Sequence, residues 1–374
     1  MVRHDADVIV VGAGPAGLNA ARVAAAEGAR TLVLERATHP RYKTCGGGLI
    51  GTSLAAVAGS VEVPARDRVE HAVFTLDGRR RIVRASRSGP LISMVRREEF
   101  DDALRKAAVE AGAQVQERST VRAVEDDPDG AAVRLADGTR LVARVVVGAD
   151  GSSGVTARHV GVRYEQVDLG LEVELPVPDA VAERWRGRLL IDWGPLPGSY
   201  AWVFPKGDVL TVGVIASRGQ GEATRRYLDD FVARLGLAGI EPVHDSGHLT
   251  RCRAADSPLR RGAVLVAGDA AGLLEPWTRE GISFALRSGA LAGAAAARGD
   301  LDGYVAAVGR ELEPEMRAGR WLITAFNRHP WAFHGALATP PGFRMFTMFC
   351  QGRLRFDEVV GRRSIRAILR LLGS

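Results

Sequence analysis

The first 35 residues contain a short apolar run, a glycine-rich turn and an alanine-rich segment, in that order. The run Asp7–Val11 predicts a buried strand, and Gly12–Gly17 reads GAGPAG, which fits the pattern G-x-G-x-x-G. An alanine-rich helix is predicted over Leu18–Glu27 and is closed by Gly28, after which Thr31–Leu34 predicts a second strand. This order is half of a βαβ unit, so the chain is expected to begin with a Rossmann-like α/β domain.

The glycine spacing in this turn predicts a dinucleotide site. The first glycine allows a tight bend, the second lets a pyrophosphate approach the backbone, and the third packs the helix closely. The helix N-terminus, near Pro15 and Ala16, favours the anion. Glu35 lies 23 positions after Gly12, at the end of the second strand, where an acid can accept from a ribose hydroxyl. A solvated strand-end acid is the alternative interpretation of Glu35, and the turn alone does not separate FAD from NAD.

Composition and charge exclude several classes of protein. A length of 374 residues predicts about two domains. The net charge of +6 comes from 50 basic and 44 acidic residues that are interspersed, without a basic patch interleaved with aromatic residues, so no nucleic-acid partner is predicted. Three widely spaced cysteines predict neither a disulfide framework nor a metal site. Because no signal peptide and no long apolar span is recognised, we expect a cytoplasmic protein.

The rest of the chain alternates between helix and strand patterns and then becomes helical. Residues 100–115 have apolar positions at helical spacing, and turn signals at 128–130 and 137–138 separate the strands of a meander. The stretch YAWVFPKGDVLTVGVI predicts a hairpin turned at 206–208. A helix rich in small residues begins near Gly281, and the chain after Asp300 is predicted to be mostly helical, with an aromatic-rich segment over 321–349.

Two further motifs indicate the kind of dinucleotide. With GADG at Gly148–Gly151 and GD at Gly268–Asp269, the glycine turn resembles the FAD-dependent oxidoreductases of the p-hydroxybenzoate hydroxylase type. The resemblance implies bound FAD, with Asp269 at its ribityl or pyrophosphate region and Arg97 at the flavin. The adjacent Arg96, or a surface ion pair of Arg97, are the alternatives. The implied cofactor-binding residues are Gly12, Gly14, Pro15, Ala16, Gly17, Glu35, Arg36, Cys45, Gly46, Gly47, Arg97, Val121, Asp150, Gly268, Asp269, Gly281 and Ile282.

Two stretches narrow the resemblance to one branch of these flavoenzymes. YKTCGGGL, which contains Cys45, and YAWVFPKG, which begins at Tyr200, resemble the geranylgeranyl reductase family, whose members saturate isolated double bonds of prenyl chains. The similarity covers roughly residues 7–293. It implies that the Cys-Gly-Gly-Gly loop lies near the isoalloxazine and that the aromatic strand lines a lipid cavity. The implied catalytic residues are Cys45, Gly46 and Gly47, and the implied substrate-binding residues are Tyr200, Trp202, Phe204 and Pro276.

These residues also have structural interpretations. Without a Cβ, the glycines Gly46–Gly48 are expected to let backbone approach the flavin or the substrate. Cys45 is a candidate for the proton path of alkene reduction, because a free thiol is mostly protonated at neutral pH; a small buried hydrophobe is the alternative. Tyr200, Trp202 and Phe204 alternate at strand spacing and share one face, which forms either a cavity wall or sheet core.

The sequence departs from the family pattern at two positions. Arg279 stands where the family usually has glycine, in a loop beside the flavin, and a long cation there is expected to alter substrate choice or to contact a phosphate. Gly154 stands where the Asp-Gly motif often has serine, although Arg158 matches the later arginine of that motif.

We predict an α/β fold in which a Rossmann-like FAD-binding domain is interleaved with a mixed-sheet substrate domain, followed by a helical C-terminal region. The FAD-binding domain is assigned to residues 1–75, 95–160 and 250–300, the substrate-binding sheet to 76–94 and 161–249, and the helical region to 301–374. No separate NADPH-binding domain is recognised in the sequence. The electron donor is therefore expected to be NAD(P)H that docks transiently or a ferredoxin-like protein.

The last residues, RRSIRAILRLLGS, predict a cationic amphipathic helix. Ile365, Ile368, Leu369 and Leu372 fall on one face, with the arginines largely on the other. Such a helix suits peripheral contact with an anionic membrane, and an ordinary docking helix has the same pattern.

The predicted function is FAD-dependent saturation of carbon–carbon double bonds in an isoprenoid, geranylgeranyl-like or other long apolar substrate. An FAD-dependent monooxygenase acting on an aromatic or polyketide-type molecule is the first alternative, and oxygen dependence separates the two. A lipid-binding protein that keeps FAD as a structural ligand is an alternative from another class. A flavin-dependent halogenase is less favoured, because YAWVFP lacks the paired tryptophans of W-x-W-x-I-P.

Overall fold

The computed structural model describes residues 4–361, which form three sheets and a set of surrounding helices. The strands are β1 (Ala6–Val11), β2 (Thr31–Leu34), β3 (Gly48–Leu49), β4 (Ala65–Val69), β5 (His71–Leu76), β6 (Arg79–Ala85), β7 (Ile92–Val95), β8 (Gln114–Gln116), β9 (Val121–Asp127), β10 (Gly130–Leu135), β11 (Arg140–Gly148), β12 (Tyr164–Pro176), β13 (Arg188–Trp193), β14 (Tyr200–Pro205), β15 (Val209–Ser217), β16 (His244–Arg253), β17 (Arg260–Arg261) and β18 (Val264–Val266). The α-helices are α1 (Pro15–Ala26), α2 (Gly51–Val57), α3 (Arg97–Glu110), α4 (Val155–Val160), α5 (Asp179–Trp185), α6 (Gly221–Arg234), α7 (Ile282–Arg298), α8 (Leu301–Glu311), α9 (Glu313–Arg328), α10 (Pro330–Ala338), α11 (Pro340–Cys350) and α12 (Phe356–Gly361).

The first sheet is built around parallel strands from distant parts of the chain. Its order is β17-β18-β11-β1-β2-β8, with β9 and β10 continuing from β11 as the predicted antiparallel meander. β1 pairs in parallel with both β2 and β11. The carboxyl ends of these strands therefore meet at one edge, where α/β folds bind their ligands. Helix α1 begins at Pro15, three residues before the predicted start, because the fixed φ of proline suits the first helical position.

The second sheet has the order β16-β12-β15-β14-β13-β5-β6 and is antiparallel except for the pair β13–β5. The predicted hairpin at 206–208 is present between β14 and β15. One face packs against α6 through Tyr227, Leu228 and Phe231. The opposite face, which includes Phe74 and Leu189, packs against the C-terminal helices. This sheet therefore separates one apolar core from another.

The predicted α/β fold, with its interleaved sheets and helical C-terminal region, is confirmed in the described residues. The second sheet takes in β5 from His71 and β16 to Arg253, so it extends beyond the segments assigned to it from the sequence. A small sheet, β3-β7-β4, joins residues from both sides of one predicted boundary. The predicted amphipathic helix over 362–374 lies outside the described residues. Within residues 4–361, no helix combines the length and the hydropathy needed to cross a membrane.

Candidate active site

A cavity of about 1020 Å³ lies between the first sheet, the second sheet and the C-terminal helices. Residues 12–16 of the glycine turn border one end of this central cavity, and the loop Cys45–Gly48 borders its middle. Aromatic residues of β14 and of the C-terminal helices border the other end. The cavity thus joins a polar end, made largely of backbone, to an apolar end.

At the polar end, the carboxylate of Glu35 holds the glycine turn in place. It accepts hydrogen bonds from the N–H groups of Ala13 at 2.7 Å and Ala37 at 2.9 Å. The residue is only 5% exposed, so it is not the solvated strand-end acid of the alternative interpretation. A Cβ at Gly12 would lie 2.4 Å from the carbonyl oxygen of Ala149, which is why only glycine fits this turn.

Two arginines border the cavity beside the turn, and Asp101 holds both. Arg97 donates from Nε and Nη2 to the Asp101 carboxylate at 2.8 and 2.9 Å. Arg41 donates from Nη2 to the carbonyl oxygen of Ala13 at 3.1 Å, and its buried Nη1 lies 3.3 Å from Oδ2 of Asp101 in an ion pair without hydrogen-bond geometry. Arg96 instead pairs with the exposed Asp208, so it is Arg97 that borders the cavity.

This end of the cavity fits a dinucleotide. The first N–H groups of α1 have no partners within the helix, and the helix dipole favours an anion at that end. Arg41 and Arg97 supply two cations at this end, and Nη1 of Arg41, although ion-paired with Asp101, donates no hydrogen bond among residues 4–361. A pyrophosphate satisfies such donors and charges together, and the lack of a side chain at Gly14 leaves the backbone accessible.

In the middle of the cavity, two buried side chains hold the backbone of Cys45. Its N–H donates to Glu172 at 2.7 Å, and its carbonyl oxygen accepts from Nζ of Lys206 at 3.3 Å. Burial raises the pKa of Glu172. The hydroxyl of Tyr42 donates to the same carboxylate at 3.2 Å. The loop is therefore fixed to the second sheet at a position where the half-buried thiol borders the cavity.

The structure gives a packing reason for glycine at two of the three positions that follow, Gly46 and Gly47. A Cβ at Gly46 would lie 2.9 Å from ring carbons of Phe204. Gly47 has a φ of +74°, and a Cβ there would lie 2.2 Å from the carbonyl oxygen of Val95. The missing side chains at these positions would point into protein. Their absence lets the loop pack against its neighbours while its backbone borders the cavity.

A row of acids on β12 was missed in the sequence, although the stretch DLGLEVE places them at alternating positions in an apolar strand. Asp168, Glu172 and Glu174 are all buried. Asp168 accepts from Nε of Arg279 at 3.0 Å, and Glu174 accepts from Lys206 at 2.9 Å. Each acid is therefore paired with a group from another segment of the chain.

Arg279 occupies a backbone conformation that favours glycine, with a φ of +57°. Its side chain is buried and pairs with Asp168, and Nη1 donates to the carbonyl oxygen of Trp277 at 2.7 Å. The guanidinium carbon lies 5.8 Å from the centre of the Tyr200 ring. The departure at Gly154 also has a reason, because a Cβ there would lie 2.0 Å from Cγ of Asp150.

Two further carboxylates border the cavity with opposite pKa shifts. Burial is the largest influence and favours the neutral form of Asp269, but His248, with Nε2 at 3.4 Å, and the cations of Lys43 and Arg97 together outweigh it, so the pKa of Asp269 is lowered. Burial raises the pKa of Glu280 to about 7, and its carboxylate accepts from the N–H of Ser283 at 2.7 Å. Sequence analysis identified Asp269 and missed Glu280, which has no motif of its own.

The apolar end of the cavity is aromatic. The rings of Tyr200, Trp202 and Phe204 follow one another at centroid distances of 5.9 and 6.2 Å on one face of β14. These three side chains border the cavity, so the face that they share forms part of its wall. Six aromatic residues that the sequence did not assign also border the cavity: Trp193, Trp277, Phe333, Phe346, Phe349 and Phe356. The aromatic-rich segment over 321–349 signalled three of them, Phe333, Phe346 and Phe349.

Most of the residues predicted for the site come together around this cavity. Those that border it are Gly12, Gly14, Pro15, Ala16, Glu35, Arg36, Cys45, Gly46, Gly47, Arg97, Val121, Asp150, Tyr200, Trp202, Phe204, Asp269, Gly281 and Ile282. Gly17, Gly268 and Pro276 do not border it. Gly17 packs against Gly12, the N–H of Gly268 donates to Ser288, and Pro276 is buried with its carbonyl oxygen bonded to Gln166.

The sequence is similar to those of known FAD-binding proteins and reductases. Residues 5–190 match a family model described as an FAD binding domain. The menaquinone reductase of Mycobacterium tuberculosis is 33% identical over 313 residues, which cover 78% of this chain and 76% of that protein. The digeranylgeranylglycerophospholipid reductase of Methanothrix thermoacetophila is 30% identical over 310 residues, covering 77% and 76%.

Solved structures share the fold over nearly the whole chain. A geranylgeranyl bacteriochlorophyll reductase-like protein from Thermoplasma acidophilum superposes with a TM-score of 0.80 at 22% identity, covering 98% of this chain and 99% of that one. A flavin-dependent brominase superposes with a TM-score of 0.74 at 18% identity, covering 98% of this chain and 99% of that one. At these identities the likeness extends to the fold alone.

Proposed function

The chain belongs to the geranylgeranyl reductase family of FAD-dependent oxidoreductases, and from that membership we propose that it saturates carbon–carbon double bonds of an isoprenoid or another long apolar substrate. The observation that carries the proposal is the continuity of the central cavity. Its dinucleotide end and its aromatic end meet at the loop that contains Cys45. A long apolar chain lying along Tyr200, Trp202 and Phe204 would reach that loop.

Saturation of a double bond requires a hydride at one carbon and a proton at the other. Reduced FAD supplies the hydride when it is bound. The residues of the chain then have three tasks: holding the anionic cofactor, excluding water from the apolar chain and delivering the proton. The glycine turn with Arg41 and Arg97 serves the first task, and the aromatic wall serves the second.

Cys45 is placed to deliver the proton. Its thiol borders the cavity, and Glu172 and Lys206 fix its backbone from two sides. Transfer of the thiol proton to the alkene carbon leaves a thiolate. The buried guanidinium of Arg97 interacts electrostatically with this side chain and would stabilise that negative charge. The thiolate regains its proton from solvent when product leaves.

An anaerobic turnover experiment tests the proposed reaction. The purified FAD-loaded protein is reduced with dithionite and mixed with a geranylgeranyl lipid, and the flavin absorbance and the product mass are followed together. We expect reoxidation of the flavin and a gain of two hydrogens for each saturated bond. If the flavin stays reduced until air is admitted and no saturated product forms, the reductase proposal is wrong and hydroxylation of an aromatic substrate is tested next.

A further inference from the structure

Helices α10 and α11 form an outer wall of the central cavity. Ala336 and Leu337 of α10 and Gly342 and Met345 of α11 all border it. Two of these, Ala336 and Met345, are also exposed to solvent. The cavity wall and the molecular surface therefore meet between the two helices, at the aromatic end of the cavity.

The surface around this opening is apolar. Trp331 of α10 is 60% exposed, the highest value for a large hydrophobic side chain within residues 4–361, and Met345 is 37% exposed. Pro340 and Pro341, the first two residues of α11, are exposed as well. A single exposed apolar residue is ordinary, but a group of them around the opening of an apolar cavity indicates an interaction surface.

The helical part of this surface, α10 and α11, has no acidic residue. No aspartate or glutamate occurs between Glu315 and Asp357, a stretch that contains six arginines. Arg344 is exposed on α11, next to Met345. Two arginines of β6 adjoin α10: the backbone oxygen of Arg80 lies 2.7 Å from Nε2 of His334, and the side chain of Arg84 donates to the carbonyl oxygen of Ala338. Cations therefore surround the apolar opening.

We propose that this face, defined by Trp331, Met345, Arg344, Arg80 and Arg84, docks on an anionic lipid bilayer. Tryptophan prefers the region between headgroups and acyl chains, and juxtaposed arginines are attracted to anionic headgroups. Docking in this orientation lets a lipid chain pass from the bilayer into the cavity without entering water. That passage rests on the function proposed above, whereas docking itself does not depend on the reaction.

A bilayer explains this face better than a second copy of the chain. In a two-fold dimer the face would meet itself, which would bring Arg80, Arg84 and Arg344 close to the same arginines of the partner. An anionic bilayer instead supplies opposite charge together with an apolar interior. The final residues, 362–374, add four arginines and no acid to the sequence that follows α12.

The docking face is tested by flotation of the full-length, FAD-loaded protein with vesicles of phosphatidylcholine, with and without phosphatidylglycerol. We expect binding to the vesicles that contain phosphatidylglycerol, weakened by salt. The double variant W331S/M345S should bind about tenfold more weakly, because it removes apolar side chains from the interface. The matched control is V243S, since Val243 is 56% exposed beside β16, at the opposite edge of the sheet from β6.

A second pair of variants tests the charge. R344E should weaken vesicle binding several-fold, whereas R310E makes the same change of charge on α8 and should leave binding unchanged. Flavin absorbance and circular dichroism confirm that each variant is folded and loaded.

Four outcomes would overturn the proposal. The first is failure of the native protein to float with anionic vesicles, and the second is binding of W331S/M345S as tight as that of the native protein, which would assign binding to residues 362–374. The third is a loss of binding by V243S as large as that by W331S/M345S. The fourth is a concentration-dependent dimer, detected by ultracentrifugation, that W331S/M345S abolishes. Turnover of detergent-solubilised lipid is measured separately, so a protein that floats without reducing lipid contradicts the proposed reaction and not the docking.

Discussion

The ammonium group of Lys206 lies 2.9 Å from the carboxylate of Glu174, and both side chains are buried. The same ammonium group donates to the carbonyl oxygen of Cys45 at 3.3 Å. A single buried cation therefore links the second sheet to the loop at the middle of the cavity. Removing it affects both the stability of the sheet and the placement of the thiol.

We predict that Lys206→Met lowers the free energy of unfolding by about 3–5 kcal/mol, because Glu174 is left buried without its cation. Urea denaturation of the FAD-loaded protein measures this loss. The double variant K206M/E174M also removes the carboxylate that Lys206 pairs with, so most of the loss should be recovered. A single variant as stable as the native protein would contradict the pairing.

Two glycines in the same backbone conformation are predicted to respond differently to alanine. Gly47 has a φ of +74° and Gly207 a φ of +77°. A Cβ at Gly47 would lie 2.2 Å from the carbonyl oxygen of Val95, whereas a Cβ at Gly207 would meet no atom of the described residues within 4 Å. Gly207→Ala should cost about 1–2 kcal/mol from backbone strain alone. Gly47→Ala should cost clearly more and weaken FAD retention, since the loop must move. Equal losses of unfolding free energy would show that the contact with Val95 is not tight.

The raised pKa of Glu280 should make the free energy of unfolding depend on pH. Its pKa in the folded protein is about 7 against an ordinary value of 4.5, with burial as the largest cause. Below pH 4.5 the carboxyl is protonated in both states and costs nothing. Between pH 4.5 and 7 the unfolded state gains by ionising, so the free energy of unfolding falls as pH rises, by about 3 kcal/mol in total.

Glu280→Gln removes this titration and keeps an acceptor for the N–H of Ser283. The difference in unfolding free energy between the variant and the native protein should therefore grow from pH 4.5 to pH 7 and stay constant above it. Denaturation at a series of pH values measures it. A difference that does not change with pH would contradict the raised pKa.

Cys45→Ala should leave FAD binding and reduction by dithionite unchanged but slow alkene saturation by about 100-fold, because the proton donor is lost. Anaerobic stopped-flow measurement of flavin reoxidation by the lipid gives the rate. Cys350→Ala is the matched control, since Cys350 is another thiol at the cavity wall, far along the chain in α11. Saturation at the native rate by C45A would exclude Cys45 from the proton path.

Local patterns in the sequence determined the dinucleotide end of the site. The strand β1, the glycine turn and helix α1 are adjacent in the chain, and the position of Glu35 follows from the length of that unit. The hairpin β14–β15 and the shared face of Tyr200, Trp202 and Phe204 likewise depend on turn residues and on the two-residue period of a strand. These features can be predicted from the sequence because the residues that interact to form them are close together in the chain.

Only the tertiary structure decided what surrounds Cys45. Glu172, which binds its N–H, lies 127 positions away, and Lys206, which binds its carbonyl oxygen, lies 161 positions away. The pairing of Arg279 with Asp168 spans 111 positions. Strand alternation gives the acids of β12 a common face but no partners, because partners depend on how distant segments pack. The sequence also could not show what surrounds the glycines of the loop. In the structure, a Cβ at Gly46 would meet Phe204 and a Cβ at Gly47 would meet Val95, so these glycines are needed for packing within the protein.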